Sequence, residues 1–303
     1  MATQPFESSK TSVVIPCHNY GRYLSWCIES VLHQTRRARE IIIIDDASDD
    51  DTQAISESFG NQVRYFRVDF LNAQKTRNFG LEKANFDYIL YIDADDFLDN
   101  NALHLMEAEM ATDPQLRIVY SDRINFGDPQ LISSLKQGYH WCSQDFSLHD
   151  LRRFNFISMP SLLRRSTFAG FDERIRLNQD WDAWLSSLTG EKQAKRIAQP
   201  LFYYRFHGKN KTTQENGFIE RFKILAKHGL VSRITPERRK NGSLLNQKGK
   251  VFLAIHTAKK NEFSKLNAAL LKFHEYSAKI YFIGDKKEQK KLGIDGTGLT
   301  ETQ

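Results

Sequence analysis

The densest chemistry in the chain lies in one stretch, Tyr88-Ile-Leu-Tyr-Ile-Asp-Ala-Asp-Asp96. An apolar run from Tyr88 to Ile92 passes without a turn residue into three carboxylates, Asp93, Asp95 and Asp96. A run of this length between polar flanks reads as a buried strand. In an open α/β sheet, ligands lie outside the carboxyl ends of the strands. Acids gathered at such an end repel one another, and they stay ionised together when a cation sits among them. Hard oxygen donors suit Mg2+ or Mn2+, ions that take one or two carboxylates and complete their shell from substrate phosphates. The pattern therefore predicts a divalent metal holding a phosphorylated substrate at a strand end. The plain alternative, for an isolated Asp-X-Asp, is a strand followed by an acidic, solvated turn.

Elements that would position these acids recur along the chain. Thr11 to Pro16 reads as a strand ended by proline, and Cys17-His-Asn-Tyr-Gly21 as a loop. Tyr23, Leu24, Cys27, Ile28, Val31 and Leu32 then share one stripe at helical spacing. Glu40 to Ile44 is a second buried strand running into Asp45-Asp-Ala-Ser-Asp-Asp-Asp51, a turn rich in helix-capping residues. A helix with Ile55 and Phe59 follows, then a strand over Val63 to Val68, then a helix over Ala73 to Ala84 that contains Arg77 and Asn78. Strands alternating with helices at this spacing predict an α/β fold with a mostly parallel, doubly wound sheet and helices on both faces. The expected strand ends at Pro16, Asp45 and Asp93 fall in one layer of loops, which brings Asp46 and Asp95 to the same edge.

Downstream, a helix is expected over 100–111, a short strand over 118–122, irregular chain over 123–156 and weak patterning over 155–163. Leu177-Asn-Gln-Asp-Trp-Asp-Ala-Trp-Leu185 opens an aromatic helix, and Pro200 to His207 reads as a strand. The last third reads as a helix over 218–230, a linker over 234–249, then strand, helix and strand over 251–284. The expected division is a catalytic domain over 1–215 and a small basic α/β extension over 216–303.

With 303 residues, 40% hydrophobic and 26% charged, the chain is globular in class. Its longest aliphatic run, Ile41 to Ile44, is far too short to cross a bilayer, and the first ten residues have no apolar signal core. A cytoplasmic protein is expected, and Cys17, Cys27 and Cys142 lack metal-type spacing and read as reduced thiols. The net charge of +6 is unevenly spread: from Arg221 onward 18 Lys and Arg face 7 Asp and Glu, whereas residues 1–220 carry a net −5. A basic tail on an acidic domain suggests peripheral contact with an anionic surface such as the inner face of a membrane; a solvated lysine-rich face is the other reading. No nucleic-acid partner is expected. No Walker A loop, no Gly-X-Gly-X-X-Gly after the first strand and no Gly-X-Ser-X-Gly is present, so phosphates must be met by a metal and basic side chains.

Four segments in order, Val13-Val-Ile-Pro-Cys-His-Asn19, Ile43-Ile-Asp-Asp-Ala-Ser-Asp-Asp-Asp-Thr52, Lys75-Thr-Arg-Asn-Phe-Gly80 and Tyr91-Ile-Asp-Ala-Asp-Asp96, resemble the family 2 glycosyltransferases. These are GT-A-fold, inverting enzymes that use nucleotide sugars. The resemblance spans roughly 11–210 and leaves the last third outside. It implies that Pro16, His18 and Asn19 line the nucleotide pocket and that Asp46 accepts a hydrogen bond from the base, uracil in a UDP-linked donor. Arg77 would contact the nucleotide or its diphosphate, Asp93 the ribose side, Asp95 the Mn2+ or Mg2+ ion, and Asp96, with Ala94 beside it, the donor. Gln179-Asp180-Trp-Asp182 resembles the family's base motif, with Gln for the common Glu; Asp180 would be the catalytic base and Asp182 its competitor. Trp181 and Trp184 would stack on a sugar or form core. Tyr204-Arg-Phe-His207 resembles a late motif near the diphosphate, so His207 would be a metal or phosphate ligand supported by Arg205. The implied acceptor is a hydroxyl of a glycan or lipid-linked molecule in surface polysaccharide synthesis. The alternative is a non-catalytic module that binds a nucleotide or glycan. A nucleotidyltransferase fits poorly, because Cys17-His-Asn-Tyr-Gly21 is neither Gly-rich nor basic.

Overall fold

Two aliphatic runs set the centre of the sheet. In the computed structural model, β1 (Thr11–Cys17) and β2 (Glu40–Asp46) pair in parallel, Val13 opposite Ile41 and Cys17 opposite Asp45. Val13 to Ile15 and Ile42 to Ile44 are completely buried. Unbroken apolar strands of this kind belong inside a sheet with both faces covered. The structure describes residues 9–133, 135, 139–208, 218–230, 251–255, 278–282 and 301–302. The chain divides into two units, Met1–Gly217 and Phe218–Gln303.

In the first unit α1 (Gly21–Leu32) follows β1, and α2 (Thr52–Ser58) follows β2. Then come β3 (Arg64–Val68), α3 (Ala73–Lys83), β4 (Tyr88–Tyr91), β5 (Phe97–Leu98) and α4 (Ala102–Thr112). β6 (Ile118–Gly127), α5 (Pro129–Ser133), β7 (His140–Trp141), α6 (Leu148–Leu151), β8 (Leu162–Arg164), α7 (Gln179–Ser187) and β9 (Ala194–Phe206) complete it. The strand order is β3-β2-β1-β4-β8-β6-β9-β5, with β7 beside β6. β1 to β4 run parallel, β8 runs against both β4 and β6, and β6 is parallel to β9. Leu24, Ile28 and Val31 of α1 share one core with Leu103, Met106 and Met110 of α4 and with the inner strands.

Several expected boundaries move. Pro16 does not end β1 but pairs opposite Ile44 within it. Val14 accepts from Ile92 N on the β4 side. Alternation then turns the Pro16 nitrogen to that same side, past the end of β4 at Tyr91, where no ladder bond is lost. Residues 123–127, expected to be irregular, extend β6 because they pair in parallel with Phe202–Phe206, and β9 itself starts earlier than expected, at Ala194, where Ala194–Ile197 pair with Ile118–Ser121. The weakly patterned 155–163 segment contains β8.

Gly21 opens α1 against the head of α2. A Cβ there would fall 2.9 Å from Thr52 N and 3.2 Å from the Asp51 carbonyl carbon, both backbone atoms that cannot swing aside. Gly21→Ala is therefore expected to destabilise the fold by about 1–3 kcal/mol through overpacking. A thermal or urea melt of the intact chain tests this, and an unchanged midpoint would show that the loops yield.

In the second unit, α8 (Phe218–Lys227) carries a Lys223 to Glu220 bond of 2.6 Å one turn apart. β10 (Val251–Ile255) pairs in parallel with β11 (Ala278–Phe282), and β12 (Glu301–Thr302) runs against β11. The expected linker over 234–249 and helix over 263–276 lie outside the described residues, as does most of the basic tail. No described helix is long and apolar enough to cross a membrane.

Candidate active site

The loops after the parallel strands are tied together by their own polar groups. Asn19 N donates to Ser48 Oγ at 3.0 Å, Asp49 N to Asn19 Oδ1 at 2.8 Å, and Gly21 N to Asp50 Oδ2 at 2.8 Å. His18 donates from Nδ1 to the Asp46 carbonyl at 2.5 Å, which leaves its Nε2 as an acceptor. Among the described residues, positive φ at non-glycine positions occurs at Asn19 (59°), Ala47 (56°), Leu71 (47°) and Asn178 (53°). The first three follow β1, β2 and β3, and the fourth precedes α7. Such conformations cost about 1–3 kcal/mol each and cluster where geometry serves a ligand.

Asp45 and Asp46 are both buried but face different partners. Asp45 Oδ2 accepts from Tyr65 Oη at 2.6 Å and from Arg67 Nη1 at 2.7 Å. Asp46 receives four donors from the segment that starts α3. They are Phe70 N at 2.7 Å, Leu71 N at 2.8 Å, Asn72 N at 3.0 Å and Thr76 Oγ1 at 2.7 Å. Burial pushes the Asp46 carboxyl upward, but the Thr76 hydroxyl and the three amides outweigh it and hold the group below the usual carboxylate range. A carboxylate has about four lone-pair sites. A nucleobase N–H would therefore reach Asp46 by sharing or displacing one of these donors.

The acids after β4 have three distinct environments. Asp93 pairs with Arg77, Nη2 to Oδ1 at 2.5 Å. Arg77 is buried, stands over Phe171 with 5.9 Å to the ring centre, and its Nε has no partner among the described residues. Ala94, between Asp93 and Asp95, is buried. Asp95 Oδ2 accepts from His207 Nε2 at 2.9 Å, and the imidazole packs against Tyr20 and Tyr23 with ring centres 5.6 and 5.5 Å away. Burial, then the charges of Asp95 and Asp93, push the Tyr20 hydroxyl up to about 12. Asp96 Oδ1 accepts from Arg205 N at 2.9 Å, and Arg205 Nε donates to the Asp95 carbonyl at 2.8 Å. Burial and the neighbouring Asp95 and Asp93 charges push Asp96 well above its ordinary value. The three carboxyls thus do not repel as three equal charges: Asp93 is neutralised by Arg77 and Asp96 is driven towards its protonated form.

Asp180 stands in the first turn of α7, half-buried, with Oδ2 accepting from Asn155 Nδ2 at 2.8 Å. Asn155 Oδ1 accepts from Ile157 N at 3.2 Å, which fixes the amide so that its NH2 faces the acid. Burial raises the Asp180 carboxyl, opposed by the Trp181 amide, Asn155 and the charge of Arg77. Arg77 therefore acts on Asp93 by contact and on Asp180 through space. Asp182 is 1% exposed, so it faces the interior, away from any acceptor. Trp181 and Trp184 are core residues: they are 2% and 0% exposed, and their indole N–H groups donate to Leu151 O and Ile157 O. Neither presents a face to a sugar.

Asn155 and Arg123 lie in stretches without a motif and carried no sequence signal, and Tyr20, in the Cys17–Gly21 loop, directly follows the residues that the loop's motif singled out. Among the described residues no group of three or more His, Cys, Asp or Glu is gathered to hold a metal. The Asp95–His207 pair offers one oxygen and one nitrogen donor. That set fits Mn2+ or Mg2+ if substrate phosphates supply the rest of the shell.

Residues 12–171 match the family model described as Glycosyl transferase family 2. The uncharacterized glycosyltransferase EpsJ of Bacillus subtilis is 28% identical over 208 residues, 64% of this chain and 60% of that protein. The minor teichoic acid biosynthesis protein GgaA of B. subtilis is 26% identical over 230 residues, 69% of this chain and 49% of that protein. Chondroitin synthase of Escherichia coli is 29% identical over 210 residues, 66% of this chain and 29% of that protein. The chain thus spans 29–60% of the length of these relatives. Among solved structures, S. aureus TarS 1-349 in complex with UDP-GlcNAc superposes with a TM-score of 0.59 at 17% identity, covering 73% of this chain and 66% of that one. The mannosyltransferase PcManGT from Pyrobaculum calidifontis, in complex with GDP-Man and Mn2+, gives 0.53 at 14% identity, covering 75% and 65%. At these identities the superpositions speak for the fold, a mixed sheet flanked by helices of the GT-A type.

Proposed function

The chain belongs to glycosyl transferase family 2, a glycosyltransferase class of enzyme, and from that premise we propose an inverting transfer of a sugar from a UDP-linked donor to a hydroxyl of a glycan or lipid-linked acceptor. The observation that carries the reading is Arg77, a buried cation paired with Asp93 at 2.5 Å and acting through space on Asp180. Asp180 takes the proton of the acceptor hydroxyl as its oxygen bonds to the anomeric carbon. The bond from that carbon to the diphosphate oxygen breaks, and the electron pair leaves with the nucleotide. Arg77 offsets the negative charge that collects on the leaving group.

The loop residues Pro16, His18 and Asn19 and the acids Asp46, Asp93 and Asp96, with Ala94, border the donor in this reading. Asp95 and His207 would hold Mn2+ or Mg2+, which when bound neutralises the leaving diphosphate. The names of GgaA and chondroitin synthase support a place in the synthesis of a surface polysaccharide or teichoic-acid-like polymer. The net positive charge from Arg221 onward supports peripheral contact between a cytoplasmic enzyme and an anionic membrane that carries the acceptor.

The test is UDP release by the full chain from a panel of UDP-sugars, with and without Mn2+. Mn2+-dependent release with at least one donor is expected. UDP binding without release on any acceptor would favour the non-catalytic module instead, and failure to bind UDP would remove both readings.

A further inference from the structure

Arg123 sits where β6 and β9 lose register. Ser121 lies opposite Ile197, Asp122 opposite Pro200 and Arg123 opposite Phe202. Irregularities of this kind re-aim side chains and are frequent beside active sites. The Arg123 guanidinium lies 4.6 Å from the ring centre of Trp141 and 4.7 Å from that of Tyr204. Its Nε donates to Asn125 Oδ1 at 2.9 Å and its Nη1 to Ser158 Oγ at 3.3 Å. Every one of these partners is neutral. Arg77 and Arg196, by contrast, pair with Asp93 and Asp122. Among the described residues no carboxylate pairs with Arg123. Arg123 is half-buried, and holding a cation partly out of water on neutral partners is costly unless a countercharge is supplied.

The location says what that something touches. Residues 155–158 form a strap fixed at several points: Phe156 O accepts from Ser143 Oγ at 2.6 Å and Ile157 O from Trp184 Nε1 at 3.0 Å. At one end of the strap Asn155 holds Asp180, and at the other Ser158 holds Arg123. The strap therefore links the cation to the acid that meets the acceptor hydroxyl. Burial draws the guanidinium pKa down, while Tyr204, Asp96 and Asp180 act in the opposite sense.

We propose that Arg123 is an anion subsite beside the reacting hydroxyl, so that one of the two sugars joined by this enzyme carries a carboxylate or phosphate there. The planar guanidinium fork matches either group. The inference rests on Asp180 as the base, argued above, and adds the charge of the substrate. The anion belongs either to the donor sugar, as a uronate, or to the acceptor, as a uronate or phosphodiester.

Two arms separate these sources, using the full chain with Mn2+. Calorimetry compares UDP-glucuronate with UDP-glucose. Separately, inorganic phosphate is titrated into UDP-saturated protein, with fluorescence of the tryptophans, Trp141 among them, as the signal. A donor anion is expected to give wild type roughly tenfold tighter binding of UDP-glucuronate, and Arg123→Gln to erase that preference. An acceptor anion is expected to give equal donor affinities and phosphate binding that Arg123→Gln abolishes. Neither preference in wild type overturns the proposal whether or not the variant folds. So does an Arg123→Gln protein with an unchanged melting curve that binds UDP itself more weakly, because the guanidinium then serves the donor diphosphate. If Arg123→Gln does not fold, Arg123→Lys, which keeps the charge without the fork, is expected to weaken the preference, and an unweakened preference counts against the subsite. Absence of UDP binding to wild type would instead strike the functional reading beneath.

Discussion

Asp180→Asn is expected to lower kcat by about 100- to 10,000-fold, the usual range for removing a general base, with UDP affinity unchanged. The substitution keeps the shape of the side chain and an acceptor oxygen for the Asn155 amide at 2.8 Å. It removes only the ability to take a proton. Neighbouring Asp182 is too buried to substitute, at 1% exposure. Turnover reduced less than tenfold would take the base away from Asp180. The wild-type pH profile carries a second sign of the same role. The base works as a carboxylate, so kcat/KM must rise with pH through the Asp180 pKa and level off above it. Burial sets that pKa above the ordinary aspartate value, opposed by the Trp181 amide, Asn155 and Arg77. The acid limb therefore lies higher than an exposed aspartate would place it. Asn155→Ala, by removing a donor that favours the charged form, moves the limb higher still.

The parallel half of the sheet was legible because its strands are long, continuous and aliphatic. Ile41 to Ile44 admits few alternatives, and the acids at the ends of β2 and β4 come to one edge as soon as the strands are parallel. The other half resisted for a physical reason. Leu162 to Arg164 is three residues long, too short to display a period, and its direction depends on the β4 and β6 edges it fills. Residues 123–127 become a strand only through pairing with Phe202 to Phe206, some 79 residues on and past a register shift at Asp122, and Ala194 to Gln199 carries no strong apolar pattern of its own.

The site divides in the same way. Asp93, Asp95, Arg77 and His207 could be picked out because they occupy motifs, and the structure joins them in two bonded pairs. Asp46 could be picked out too, but its four donors come from Phe70 to Thr76, and no local pattern announces that a carboxylate will organise the start of the next helix. Asn155 and Arg123 are tied to the site through partners 25 and 35 residues away, Asp180 and Ser158. The tryptophans after Asp180 were ambiguous between stacking platform and core until their N–H groups were seen to end on backbone carbonyls.

Loss of the Asp95 carboxylate tests the other end of the cleft. Asp95→Ala is expected to cut Mn2+-dependent turnover by about 100- to 1,000-fold, the scale of removing one preorganised group that stabilises transition-state charge. The fold should survive, because the anchor at this position is backbone: the Asp95 carbonyl accepts Arg205 Nε at 2.8 Å, and the carboxylate bonds only His207 among the interactions resolved for it. His207→Ala leaves that carboxylate in place and is expected to cost less, with the Mn2+ concentration for half-maximal rate shifted upward. In either account of the pair the double variant falls well short of the product of the single losses, so the Mn2+ dependence of His207→Ala decides between them. If Asp95 and His207 serve one ion, that dependence shifts upward. If His207 merely orients Asp95 through the 2.9 Å bond, His207→Ala lowers turnover without moving the Mn2+ dependence. Turnover in Asp95→Ala that equals wild type and is insensitive to a chelator would dismiss the metal from this cleft and leave Arg77 to carry the charge of the leaving group alone.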